Sequence, residues 1–105
     1  MASQAAIVFA TFRPHPDKAD ELKATLDTMV EHTRQESGCE VYDLYRSGDD
    51  EIIYHLFERY QDSDALEAHR AADYYKNYRA TLQEKELLAQ PVEVAVLREA
   101  DVVAR

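Results

Sequence analysis

The sequence predicts one α+β domain with the element order β-α-β-β-α-β, on three observations. Four short runs rich in β-branched and aromatic residues, at 5–12, 39–46, 52–57 and 92–97, read as strands. Two longer stretches between them repeat apolar residues at helical spacing. The polar segment Ser47-Gly48-Asp49-Asp50 joins the middle two runs closely enough for a hairpin. A length of 105 residues leaves room for a single domain, taken as residues 1–105, with no Pro- or Gly-rich linker to divide it.

The first run carries Ile7, Val8, Phe9 and Phe12 and ends at Pro14 and Pro16, which suits a strand better than a helix. Asp17, Asp20 and Glu21 then mark a helix start, and Leu22, Leu26, Met29, Val30 and Thr33 share one helical face. The helix is expected to stop near Ser37-Gly38, because glycine accepts the left-handed conformation. In the hairpin, Tyr54 and Leu56 fall on one face, and Ile53, His55 and Phe57 on the other. Asp62-Ser63-Asp64 signals a second helix whose Ala65, Ala68, Ala72, Tyr75, Tyr78 and Leu82 cluster on one side, with a break expected near Asp73. Pro91 suits the first position of the final strand. This order is the split βαβ, ferredoxin-like arrangement, an antiparallel sheet with its helices on one face. Apolar residues on both strand faces require cover on the other side too, so a second identical chain is expected there.

Composition removes several function classes. Acidic residues outnumber basic ones 21 to 12, a formal charge of −9, which opposes nucleic acid and anionic membranes. No apolar run approaches the roughly 20 residues that span a bilayer, and Met1-Ala2-Ser3-Gln4-Ala5 lacks a basic secretion-signal start, so a cytoplasmic protein is expected. The glycines are Gly38 and Gly48 alone, which excludes a phosphate-cradling loop. His15, His32, His55 and His69 show no metal-ligand spacing, and no metal is expected. The single Cys39 reads as a small buried apolar residue rather than a reactive thiol.

Seven tyrosines stand out, with Tyr74, Tyr75 and Tyr78 in the second helical region and Tyr42, Tyr45, Tyr54 and Tyr60 on or beside the hairpin. A tyrosine joins a flat apolar body to a hydroxyl that seeks a partner when buried, so a set of them suits a pocket for a phenolic ligand. Core and interface packing is the alternative for each. His69, on the shoulder of the apolar helix face, is the candidate base. Asp73, four residues on, would orient it if the helix continues, and otherwise caps a helix. Glu58 falls on the Tyr54 and Leu56 side of its strand, where a carboxylate needs a partner.

Three pieces in order, Glu36-Ser37-Gly38-Cys39 with Tyr42-Asp43-Leu44-Tyr45, Phe57-Glu58-Arg59-Tyr60, and Asp62 with Ala65-Leu66-Glu67-Ala68-His69, resemble the antibiotic biosynthesis monooxygenase-like family. The resemblance implies a dimeric α+β barrel, in which two ferredoxin-like subunits pack sheet to sheet and each keeps a pocket between sheet and helices. It also implies oxygen chemistry without a cofactor on a small aromatic substrate, a phenol or hydroquinone. Similar proteins include haem-degrading enzymes and an isomerase of a small phosphorylated signal. Haem degraders use an Asn on the first strand and a Trp, whereas this chain has no Trp and Asn77 as its one Asn. Many relatives carry a second His where this chain has Tyr74. On this reading His69 is the base, helped by Asp73, while Tyr74, Tyr75, Tyr78, Glu58 and Tyr54 hold the substrate. A non-catalytic binding protein and an isomerase remain as alternatives.

Overall fold

The computed structural model describes residues 4–101, and the opening Met1-Ala2-Ser3 lies outside them. The elements are β1 (Ala6–Phe12), α1 (Ala19–Thr33) entered through a 3-10 turn at Pro16–Lys18, β2 (Cys39–Ser47), β3 (Ile53–Tyr60), α2 (Ser63–Ala71), α3 (Asp73–Glu84) and β4 (Glu93–Leu97). The strands form one antiparallel sheet in the order β2-β3-β1-β4, the ferredoxin-like topology. No helix among the described residues is long and apolar enough to cross a membrane.

Strand alternation divides the sheet into two faces. Ala10 and Phe12 of β1, Tyr42 of β2, and Tyr54 and Leu56 of β3 meet Leu22, Leu26 and Met29 of α1 and Tyr78 and Leu82 of α3 in one core. Leu22, Leu26 and Leu87 have no exposed surface. Burying each contributes about 1.5–3 kcal/mol. The opposite face carries Phe9, Thr11, Val41, His55 and Phe57, with Phe9 stacked on His55 at 5.2 Å. No helix covers it among the described residues.

Gly48 takes the left-handed conformation, φ 85°, in the hairpin turn. Gly38 does not, which corrects the reason given above for its presence. The helix stops earlier, at Thr33, where the Arg34 N–H still reaches the Val30 carbonyl at 3.1 Å. Gly38 is instead a point of close approach: a Cβ there would lie 2.5 Å from the Ala65 Cβ of α2. The Gln61 N–H donates to the Gly38 carbonyl at 2.8 Å, and Asp62 caps α2 by accepting from the Ala65 N–H at 2.8 Å.

The second helical region is broken at Ala72, whose extended backbone, ψ 144°, ends α2 and begins α3. Pro91 lies before the paired residues of the last strand rather than at its head, since pairing starts at Glu93 opposite Thr11. The whole of β4 is exposed, Val94 and Val96 by 52% and 60%.

Because Gly38 has an ordinary backbone, alanine is wrong there only through the contact with Ala65. Gly38→Ala should cost about 1–3 kcal/mol in urea unfolding, the usual penalty of overpacking. Ala65→Gly in the same chain should recover the part due to the clash. Equal losses with and without the second change would place the cost elsewhere.

Candidate functional site

The pattern Tyr54, Leu56, Glu58, Tyr60 points every second side chain of β3 toward the helices, and all four are buried. Glu58 thus enters the protein with 7% of its surface exposed. Its Oε1 accepts the Tyr60 hydroxyl at 2.6 Å. Burial raises the Glu58 carboxyl above its ordinary range, against the hydrogen bond from Tyr60 and the nearby His69 and Arg70, which favour the charged form.

His69 descends from α2 and is 4% exposed. Its Nδ1 lies 2.9 Å from Oε2 of Glu36, in the turn between α1 and β2. A carboxylate only accepts, so Nδ1 is the donor of this hydrogen bond, and the other ring nitrogen, Nε2, is left for a different partner. Aromatic rings surround this imidazole. Tyr75 stacks on it at 5.1 Å and 22°, Tyr60 lies at 5.3 Å, Tyr42 at 5.7 Å, and Tyr74 meets it edge-on at 6.2 Å. Tyr75 in turn stacks on Tyr78 at 5.6 Å.

His69, Glu58, Tyr42, Tyr75, Tyr78 and Arg79 line a cavity of about 30 Å³ between sheet and helices. Burial, and after it the Glu58 charge, pushes the Tyr42 and Tyr60 hydroxyls well above their ordinary range. Burial does the same to Tyr78, against the pull of Arg79. These phenols stay protonated at neutral pH and act as donors. Cys39, half-buried beside the site, has its thiol pushed up to about 11, first by burial and then by Glu36 and Glu58. A thiol so placed is a poor nucleophile.

Of the residues singled out from the sequence, Glu58, Tyr75 and Tyr78 line the same cavity as His69. Asp73 does not orient the imidazole: the break at Ala72 removes the helical spacing that would pair them, leaving Asp73 exposed at the start of α3, and Glu36 takes Nδ1. Tyr54 is a core residue outside the lining, paired across the sheet with Phe12 and Arg46. Tyr74 faces a separate groove of about 330 Å³ beside α1 and stacks on His32 at 5.0 Å. Its buried hydroxyl has no hydrogen-bond partner among the described residues.

Sequence reasoning missed the roles of Glu36, Tyr42, Tyr60, Arg70 and Arg79. Tyr42 was within reach of strand register, since it pairs with Glu58 and so shares its face. Glu36 was not, because a turn has no period.

The model of the antibiotic biosynthesis monooxygenase family matches residues 5–81, the stretch that carries His69, its carboxylate and the surrounding tyrosines. The chain belongs to this family. Rv0793 of Mycobacterium tuberculosis is 48% identical over 102 residues, covering 96% of each chain, and YcnE of Bacillus subtilis is 27% identical over 84% of this chain and 90% of its own. Both are provisionally named monooxygenases. The structure of Rv0793 superposes with a TM-score of 0.85 over 96% of this chain and 100% of that one, at 46% identity. PA3566 of Pseudomonas aeruginosa gives the same TM-score at 27% identity, over 96% and 99%. The family's match ends before the segment 85–92 and β4.

The buried Glu58 sets a pH dependence. Its folded pKa lies above the ordinary 4.5, so between those values the folded state holds more protons and stability falls as pH rises. Glu58→Gln keeps an oxygen for the Tyr60 hydroxyl and removes the titration. Urea midpoints measured from pH 4 upward should therefore show the variant gaining on the parent chain as pH increases. A constant difference would mean that Glu58 is not held up by burial.

Proposed function

We propose that this protein is a cofactor-independent monooxygenase that oxidises a phenol or hydroquinone to a quinone with molecular oxygen. The observation that carries the proposal is the buried His69, held through Nδ1 by Glu36 among tyrosine rings. A neutral imidazole oriented by a carboxylate is a competent base, and a water-poor aromatic pocket suits an electron-rich ring.

The chemistry balances with substrate and oxygen alone. Nε2 of His69 takes the phenolic proton, and the phenolate passes one electron to oxygen. The radical pair then joins ring carbon to oxygen, and the imidazolium returns its proton to the peroxide. Loss of the ring C–H proton with cleavage of the O–O bond leaves one oxygen as the new carbonyl and the other as water. On this reading Tyr42 and Tyr78, which line the cavity and keep their protons, donate to the charge that develops on oxygen. Glu36 acts as a positioning residue, since it reaches the substrate only through the ring.

The cavity volume favours a second reading, a non-catalytic binder of an aromatic metabolite. About 30 Å³ holds roughly one water, so an aromatic ring enters only if Tyr75, Tyr78 or Arg79 swings aside. Oxygen electrodes separate the two readings. A phenol and hydroquinone panel should draw oxygen, and His69→Gln should lower kcat by about 10²–10⁴-fold, the usual weight of a general base. Turnover that persists without oxygen would transfer the site to proton-transfer chemistry, and binding without change would support the binder.

We further propose that a second copy covers the open sheet face. Support comes from Phe9, Val41 and Phe57 on that face and from the exposed Leu97 of β4, which pairs with Ile7 and so shares it. Phe57→Asp should shift the sedimentation coefficient from dimer to monomer. An unchanged monomer in both chains would remove the partner.

A further inference from the structure

Arg13, Lys18, Lys23, Arg34, Arg59 and Lys85 each pair with a carboxylate. Arg46, Arg70, Lys76, Arg79 and Arg98 form no ion pair among the described residues, although acids outnumber bases 21 to 12 in this chain, and of these Arg70 and Arg79 reach the His69 cavity. Both line the cavity, Arg70 from α2 and Arg79 from α3. Arg70 and Arg79 outnumber the one carboxyl of the cavity lining, Glu58, whose charged form Arg70 favours, so the lining keeps a cationic excess in an acidic protein.

Arg79 also lines a second space. A groove of about 830 Å³ runs beside α3 and the segment 86–92, bounded by His15, Leu82, Leu88, Pro91 and Val92 as well as Arg79, with Glu86 as its one carboxylate. Arg79 and Val92 belong to both linings, so the groove and the small cavity meet at these two side chains. The groove lies within the roughly 300–1,000 Å³ typical of small-molecule sites, whereas the cavity holds about one water. A molecule that presents a reacting edge to His69 therefore keeps its bulk in the groove and passes Arg79 on the way.

We infer that the substrate is an aromatic anion, a phenolic ring bearing a carboxylate or phosphate, bound by Arg79 and Arg70 at the junction of groove and cavity. The inference rests on reading the His69 cavity as the reactive site. The planar guanidinium presents paired N–H donors that match either oxyanion, and a charge-assisted pair of this kind discriminates strongly against a neutral analogue. The chain's overall negative charge opposes anions in general, so the discrimination is local to the lining where these two cations outnumber the carboxyl.

Isothermal titration of the full chain with 2,5-dihydroxybenzoate, its methyl ester and 4-hydroxyphenyl phosphate tests this. The better of the two anions should bind about tenfold or more tightly than the ester, and its identity distinguishes carboxylate from phosphate. The preference should shrink with added salt and vanish in Arg79→Gln combined with Arg70→Gln. Circular dichroism of the double variant checks that it folds, and the salt series on the parent chain stands without it. Equal binding of ester and anions, a preference that survives both substitutions, or no binding of any of the three at millimolar concentration would overturn the inference. Binding and oxygen uptake fail separately. An anion preference without uptake would sink the monooxygenase reading alone, and uptake with no anion preference would sink this one alone.

Discussion

The site depends on one steric constraint, the approach of α2 to the turn before β2 at Gly38. The two backbones come close enough there that a single methyl group on Gly38 would collide with Ala65. That turn carries Glu36, and α2 carries His69 one helical turn beyond Ala65 on the same face. One contact thus fixes both members of the hydrogen-bonded pair. The hydrogen bond from Gln61 to Gly38 and the Asp62 cap set where α2 begins, which leaves the helix no freedom to slide along the sheet.

Two carboxylates approach this histidine under different solvation. Glu36 keeps about a quarter of its side-chain surface in water and serves as a hydrogen-bonded orienter. Glu58 is nearly enclosed and depends on the Tyr60 hydroxyl and surrounding cationic groups for its charge. Two like groups beside one histidine thus sit in separate environments. The tyrosines complete the arrangement by excluding water while keeping their own protons.

Much of the fold was legible because strand and helix periods are strong signals. The β-branched runs, the Ser47 to Asp50 turn and the Asp62 cap each act locally, and the sheet follows from them. The site was less legible for a physical reason. His69 and Glu36 meet through a contact 33 residues long in sequence, and no spacing rule reports it. Asp73 looked suitable only under an unbroken helix, and Ala72 removes that condition. Tyr54 and Glu58 share a strand face, but Tyr54 lies four pairs away toward the hairpin and fills the core instead. Gly38 was recognised as special for a conformation it does not adopt; its demand is for space.

The extended residue at Ala72 makes α2 and α3 two levers joined by a single hinge-like link rather than one rod. A tilt of α3 moves Tyr75, Tyr78 and Arg79, one wall of the cavity, without rotating the helix that seats His69. Substitutions in α3 thus alter one wall of the cavity from a helix that carries neither member of the His69–Glu36 pair.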